Sequence, residues 1–242
     1  MTTTPVSELP AEGWLTNAQA ARLAARGQAA AGGTVVEIGS FRGRSTIVLA
    51  RAAGAVVAID PHAGSDRGPQ EIAADASRGA DDHAAFLANL SAAGVRDQVR
   101  HVRLPSAEAH GEVVDPLALL YVDGAHRFSP ARDDIARWGA RVAPGGAMLV
   151  HDAFSSIGVT AALLVECAAG GRWRYAGRTG TLAEYERLAT PLAGAAHARN
   201  ALRQLAELPW FARNVLFKVL VSAGLRPLAH RLGLPRGMHW PY

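Results

Sequence analysis

The chain has 242 residues and a formal net charge of +4, with 49% apolar and 19% charged residues. These values suit one compact domain with an appended segment and exclude global disorder. The single cysteine, Cys167, excludes an intrachain disulfide framework and a cysteine-rich zinc site. The only lysine, Lys218, follows no glycine loop, which excludes a phosphate-binding P-loop.

Two further classes are disfavoured by the pattern of apolar residues. No stretch of 18 uncharged apolar residues is present, so we expect no membrane-spanning helix. The chain does not open on basic residues followed by an apolar run, so we expect no signal peptide. The predicted location is therefore the cytoplasm.

Strand-like and helix-like segments alternate along the chain. The pattern predicts helices at 17–28, 44–53, 81–93, 130–142 and 160–169, and strands at 34–38, 55–59, 99–104, 117–122 and 147–150. Residues 173–175 and 181–185 are interpreted as an antiparallel pair. The alternation predicts an α/β fold, doubly wound and Rossmann-like, with a mostly parallel sheet covered by helices on both faces. We divide the chain into a lead-in helix (1–29), the α/β domain (30–190) and a C-terminal extension (191–242).

Polar or turn residues follow four of the predicted strands. They are Gly39, Asp60, Asp123 and His151. Ligands of such sheets bind beyond the carboxyl ends of the strands, so these residues mark the expected site.

The first of these strands runs into a glycine-containing turn, Glu37-Ile-Gly-Ser-Phe-Arg-Gly43-Arg-Ser-Thr46. Phe41 stands where a dinucleotide-binding turn needs glycine, which argues against an NAD-linked oxidoreductase. Asp60 lies 21 residues after Gly39, where an acid can accept both hydroxyl groups of a ribose. The alternative is an ordinary strand–helix turn with Asp60 capping a helix.

This turn resembles the first motif of class I S-adenosylmethionine-dependent methyltransferases. Two further segments match in order and spacing, namely Val57-Ala-Ile-Asp60 and the pair Leu120-Tyr-Val-Asp123-Gly-Ala-His126 and Pro144-Gly-Gly-Ala-Met-Leu-Val-His151-Asp152. The likeness spans about 30–186 and implies a seven-stranded sheet. It implies S-adenosylmethionine as cofactor, bound by Glu37, Gly39, Ser40, Gly43, Ser45, Asp60, Ser106 and Asp123.

The resemblance also implies chemistry at the last two strand ends. In related O-methyltransferases, residues at the positions of Asp123, His151 and Asp152 bind a divalent ion, which would lower the pKa of a substrate hydroxyl. One alternative makes His126 or His151 a metal-free general base, with Asp123 beside the methyl group. Another leaves Asp123 to the cofactor and Asp152 to capping the next helix.

We therefore predict methyl transfer to an oxygen of a small molecule or glycan. The alternative is a catalytically inactive nucleoside-binding or membrane-associated interaction protein with the same fold. No nucleic-acid partner is expected, because the net positive charge comes from the C-terminal extension and not from the α/β domain.

That extension contains no acidic residue after Glu207 but five basic ones, so the preceding residues carry a charge of about −1 against the +4 of the whole chain. The segment 209–242 combines apolar residues, including Trp and Phe, with basic ones, which is typical of a helix lying on an anionic membrane, here at its inner face. The other interpretations are a helix covering the domain and the seam of a homodimer.

Overall fold

A seven-stranded sheet forms the centre of the protein, in a computed structural model that describes residues 8–65 and 73–234. The strand order is β3-β2-β1-β4-β5-β7-β6. The strands are β1 (Thr34–Ile38), β2 (Val56–Ile59), β3 (Val99–Val102), β4 (Leu117–Val122), β5 (Val142–Val150), β6 (Trp173–Thr179) and β7 (Leu182–Arg187). The first five pair in parallel, and β7 runs antiparallel to both of its neighbours. This arrangement confirms the predicted fold class.

Eight α-helices accompany the sheet in the described parts of the chain. They are α1 (Asn17–Ala29), α2 (Arg44–Ala53), α3 (Ala76–Ala92), α4 (Phe128–Asp133), α5 (Ile157–Leu163), α6 (Gly194–Leu205), α7 (Leu208–Ser222) and α8 (Arg226–Arg231). One turn of π-helix continues α4 to Trp138, and another continues α5 to Ala168.

The largest errors in the predicted boundaries have local causes. Helix α3 begins five residues before the predicted start, because the carboxylate of Asp75 accepts the N–H of Arg78 and caps the helix there. Strand β5 begins at Val142, which pairs with Leu117, so the Pro-Gly-Gly segment lies inside the strand at an irregularity in the β4–β5 register. The helix predicted over 130–142 accordingly ends earlier.

The two faces of the sheet explain why the strands are almost continuously apolar. Val36 and Leu120 belong to one hydrophobic core, whereas their neighbours Val35 and Leu119 belong to the core on the opposite face. Trp138 is fully buried in the first of these cores.

The C-terminal extension is docked against the domain through polar contacts. In α6, Asn200 accepts the N–H of Tyr175 through Oδ1 and donates Nδ2 to the carbonyl of Trp173, each at 2.9 Å, so the helix covers the β6 end of the sheet. In α7, Asn214 Nδ2 donates to the carbonyl of Phe154 at 3.1 Å, next to the end of β5. The interpretation of the extension as a cover for the domain is confirmed.

Within 8–65 and 73–234, none of the helices combines the length and the apolar character that crossing a bilayer requires.

Candidate active site

A cavity of about 370 Å³ opens at the carboxyl ends of β1, β2, β4 and β5. This is the edge where the polar strand ends were predicted to meet, and the volume falls in the range of small-molecule sites. Nine of the eleven predicted site residues line the cavity: Gly39, Ser40, Ser45, Asp60, Ser106, Asp123, His126, His151 and Asp152. The other two, Glu37 and Gly43, lie behind its wall.

Gly39 allows two strand ends to approach each other closely. Its φ is +86°, and a Cβ on it would stand 2.1 Å from the carbonyl oxygen of Asp123. The same strand ends are joined by a hydrogen bond from the N–H of Asp123 to the carbonyl of Ile38, at 2.8 Å. Only glycine fits this position, so the turn and the end of β4 form one continuous floor.

Gly43 serves the start of α2 rather than the cavity surface. Its φ of +90° makes the left-handed turn into the helix, and a Cβ on it would lie 3.2 Å from the ring of Phe86. The glycine therefore lets α2 begin close to α3.

Glu37 is fully buried at the end of β1. Its two carboxylate oxygens accept hydrogen bonds from the hydroxyl groups of Ser45 and Thr46 at the start of α2. Burial raises the pKa of Glu37 to about 8, because the hydroxyl bonds offset only part of the cost of desolvating the charge. Thr46 was not assigned a role from the sequence, although its place after Ser45 in the turn was the available signal.

Asp60 fixes the backbone of two loops. Its Oδ2 accepts the N–H of Phe41 and its Oδ1 accepts the N–H of His62, both at 2.8 Å. Phe41 and His62 have φ values of +45° and +46°, which are uncommon for residues with a side chain. The alternative in which Asp60 caps a helix is therefore wrong, and its carboxylate holds the rim of the cavity together.

Ser106 forms a polar pair that sequence reasoning missed. Its Oγ donates to Oδ1 of Asp134 at 2.5 Å, and its carbonyl accepts Nε1 of Trp138 at 3.1 Å. Burial raises the pKa of Asp134 to about 6. Asp134 lies on the π-helical turn after α4, and no motif in the sequence marks it.

Two carboxylates and two imidazoles meet at the ends of β4 and β5. Nδ1 of His151 lies 3.2 Å from Oδ1 of Asp123 and 3.4 Å from Oδ2 of Asp152. Nε2 of His126 lies 2.7 Å from the same oxygen of Asp152. Tyr121, also missed from the sequence, donates its hydroxyl to Oδ2 of Asp123 at 2.8 Å.

Charges within this group shift the protonation of its members strongly. Burial lowers the pKa of His151, but the two nearby carboxylates outweigh it and raise the pKa well above its ordinary value. For His126, the hydrogen bond and charge of Asp152 likewise outweigh burial and raise the pKa. Burial opposes ionisation of Asp152, yet His151 and His126 together bring the pKa of Asp152 below its usual range.

The donor set of Asp123, His151 and Asp152 fits a divalent metal ion. One ligand atom from each lies within 4.8 Å of the others. Nε2 of His151 and Oδ1 of Asp152 are buried without a hydrogen-bond partner in the described structure, which is uncommon for such groups. Helix α5 begins at Ile157 after Ser156, so the alternative in which Asp152 caps that helix is wrong.

The N-terminal segment contributes a wall that the sequence did not reveal. Trp14 lines the cavity, and its ring lies 5.5 Å from that of Phe41 between centroids. Arg44 also lines the cavity and is tied to the same segment, because its Nε donates to the carbonyl of Ala11 at 2.8 Å. Residues 12–15 are thus part of the site rather than only a lead-in.

Comparison with known proteins agrees with this geometry. Residues 36–153 match a family described as "Methyltransferase domain". Among solved structures, the O-methyltransferase NovP matches at 19% identity with a TM-score of 0.53, covering 72% of this chain and 81% of that one. An O-methyltransferase from Bacillus cereus, solved with S-adenosylhomocysteine, matches at 18% identity with a TM-score of 0.53, covering 75% and 86%.

The same fold occurs in a protein with a different acceptor. An rRNA methylase from Streptococcus thermophilus matches at 16% identity with a TM-score of 0.50, covering 73% of this chain and 98% of that one. At such identities the likeness establishes the fold, and the acceptor must be argued from the site itself. The match over 36–153 and the order of the strands agree in giving this part of the chain the Rossmann-like fold of a methyltransferase domain.

Proposed function

We propose that the protein transfers a methyl group from S-adenosylmethionine to a hydroxyl oxygen of a small molecule or glycan. The observation that carries the proposal is the group of Asp123, His151 and Asp152 at the floor of the cavity, beside the turn at Gly39. Acidic groups at this place can both face a cationic donor and prepare a hydroxyl acceptor.

The cofactor is assigned to the half of the cavity nearest β1 and β2. S-adenosylmethionine supplies an activated methyl group on a cationic sulfur when it is bound. Asp60 has lone pairs left on both oxygens after accepting two N–H groups, so it can also accept ribose hydroxyls. Ser106 and Asp134 also line the cavity and offer polar atoms suited to the edge of the adenine. Glu37 places an ionisable carboxyl behind the turn that would hold the methionine part.

The acceptor is assigned to the half nearest β4 and β5. Asp123, His151 and Asp152 would hold a divalent ion, whose chemistry is to lower the pKa of a hydroxyl and to orient it. Neutral imidazole is the ligand form, so His151 must lose its extra proton when an ion binds. His126 lines the same space and is held by Asp152, which keeps it as the alternative general base.

Two measurements on the purified protein separate this function from the inactive alternative. Calorimetry with S-adenosylhomocysteine tests cofactor binding, and transfer from a labelled donor to a panel of hydroxyl-bearing acceptors tests catalysis. We expect both, with transfer lost on chelation and restored by an added divalent ion that accepts an imidazole ligand, such as Zn²⁺ or Fe²⁺. Binding without transfer to any acceptor would favour the inactive protein, whereas transfer that survives chelation would favour a metal-free general base, His126 or His151.

We also propose that the extension contacts an anionic membrane surface. Its outer face exposes large apolar side chains in a region without acidic residues: Leu216, Val219, Leu225, Leu228 and Leu232. Apolar side chains together with basic charge favour adsorption to anionic lipid. A homodimer formed through the same face, and the cytoplasmic location, stay predictions.

A further inference from the structure

A second group of titratable side chains lies beside the cofactor half of the cavity. It consists of His62 after β2, His83 on α3 and His101 on β3. The ring centroids lie 4.9 to 5.3 Å apart in all three pairs. One ring nitrogen from each histidine lies within 4.8 Å of the others. Three imidazoles from three separate elements therefore meet at one place, and neutral imidazole is a common metal ligand.

Backbone carbonyls fix the tautomers of two of these histidines. Nε2 of His62 lies 2.7 Å from the carbonyl oxygen of Phe41, and Nε2 of His101 lies 3.2 Å from that of Asp60. A carbonyl oxygen can only accept, so each Nε2 carries the hydrogen and each Nδ1 keeps its lone pair. The donation of one ring N–H to a backbone carbonyl is the usual support of a metal-bound histidine.

The Nδ1 lone pair of His62 accepts no hydrogen bond within the described structure. His62 is 5% exposed, and its Nδ1 is buried without a hydrogen-bond partner in the described structure. The backbone of His62 is fixed at two points. Its N–H donates to Asp60, and Gly79 of α3 packs against its carbonyl oxygen so closely that a Cβ on Gly79 would stand 2.1 Å away. A buried nitrogen with an unused lone pair is uncommon in folded proteins, and a bound ligand would explain the one on His62.

The charges around the group favour neutral imidazoles. Burial lowers the pKa of His101 to about 4, and burial together with Arg103 lowers the pKa of His83. Neutral imidazole is the form that binds a metal. Arg103 and Arg96 oppose a cation, but both are exposed to solvent, which screens them, and the contact of Arg103 with Nδ1 of His83 is long, at 3.5 Å.

We propose that His62, His83 and His101 bind a transition-metal ion, with Zn²⁺ as the best fit and water as the fourth ligand. Three imidazoles suit Zn²⁺, whereas Mg²⁺ and Ca²⁺ require oxygen ligands. The site differs in its donors from Asp123, His151 and Asp152, and none of its residues belongs to that group. A bound ion would join the loop after β2 to α3 and β3.

The test uses the full-length protein stripped of metal, with Zn²⁺ followed by calorimetry and Co²⁺ followed by its visible absorption. The variant Asp152→Asn removes one ligand from the group of Asp123, His151 and Asp152, so that metal binding at the three histidines is measured alone. We expect Asp152→Asn to bind one Zn²⁺ ion. Adding His83→Gln or His101→Gln to this variant should weaken the affinity for Zn²⁺ at least 100-fold. The control His110→Gln alters a histidine that is also half-buried but lies outside the group. Circular dichroism checks the folding of each variant.

Stability gives a second readout. Zn²⁺ binding only to the folded state raises the melting temperature, so Asp152→Asn should be stabilised by Zn²⁺ while its combination with His83→Gln should not. The proposal is overturned if Asp152→Asn binds no Zn²⁺, or if both histidine variants bind it as tightly as the control. Neither outcome bears on methyl transfer, which is measured separately.

Discussion

Gly39 and Asp123 belong to neighbouring strands, and a Cβ on the glycine would stand 2.1 Å from the aspartate carbonyl oxygen. The contact involves backbone atoms, which cannot move aside as a flexible side chain would. We expect Gly39→Ala to lower the free energy of unfolding by about 3 kcal/mol or more, since it adds a clash to an unfavourable φ. Chemical denaturation measures the change.

Gly54 provides a matched control for this substitution. Its φ is +85°, almost the same as the +86° of Gly39, but nothing lies within 4 Å of a Cβ built on it. Gly54→Ala should therefore lower the free energy of unfolding only by the cost of placing alanine at a positive φ, which is about 1 kcal/mol. Equal losses in the two variants would contradict the argument from the close approach.

Asp60→Asn should weaken the binding of S-adenosylhomocysteine at least tenfold. The amide has one acceptor oxygen where the carboxylate uses two, so either Phe41 or His62 then faces an N–H group instead of an acceptor. Calorimetry measures the affinity, with Asp97→Asn as a control at an exposed acid. A modest loss of stability is also expected, because both loops depend on Asp60; unchanged affinity would remove Asp60 from the cofactor site.

The raised pKa of Glu37 predicts that the free energy of unfolding depends on pH. Its pKa rises from 4.5 to about 8 on folding, so the folded state holds an extra proton between these values. The resulting stabilisation is complete below about pH 4.5 and is lost as the pH rises through 8. We expect Glu37→Gln, which has no proton to lose, to melt at a higher temperature than the wild type at pH 9.

The comparison with wild type isolates this one group from all others. At pH 5 the two proteins should melt at similar temperatures, because the wild-type carboxyl is then protonated and resembles the amide. A difference between the two melting temperatures that stays constant from pH 5 to pH 9 would show that Glu37 does not titrate in this range.

Asp152→Asn should impair catalysis far more than cofactor binding. Asp152 contacts His126 and His151 and offers an oxygen to the acceptor half of the cavity. Loss of a positioned base or its support costs about 100-fold or more in rate. We expect the affinity for S-adenosylhomocysteine to stay within twofold of wild type, and a parallel loss of binding would place Asp152 with the cofactor instead.

Membrane contact can be tested without removing the extension. A truncation would break the contacts that Asn214 and Lys218 make with the loop after β5, so it would confuse adsorption with folding. Leu216→Glu and Val219→Glu change side chains that are 48% and 58% exposed. We expect both to reduce flotation with anionic vesicles, while Val114→Glu, at 77% exposure elsewhere on the surface, should not.

Two results of this experiment would count against the membrane proposal. One is equal recovery of wild type and variants with anionic vesicles. The other is a halving of the solution mass in the two variants without any change in flotation, which would assign the apolar face to a homodimer.

The sequence was sufficient for the fold because most of the strands end at a residue that marks the boundary. The bounds of β1, α2 and β4 were predicted to the residue, since apolar runs there end in Gly39, Gly54 and Asp123. The start of β5 was missed because its pairing with Leu117 depends on the neighbouring strand and not on local composition.

The candidate site was predictable where a motif contains the residue and not otherwise. Asp60 and Asp123 end strands, so their meeting at one edge follows from the parallel sheet. Asp134 and Trp14 reach the cavity through a π-helical turn and an irregular segment, whose paths the sequence does not specify. The protonation of Glu37 depends on complete burial, which only the folded structure defines.

Lys218 carries the chain's one lysine ε-amine, and its Nζ donates to the carbonyl of Ser155 at 3.0 Å. Burial lowers the pKa of this amine. Acylation by an amine-selective reagent would therefore report, at one known peptide, whether α7 is seated on the loop after β5. Mass spectrometry of the acylated Lys218 peptide can thus detect detachment of the extension without an engineered label.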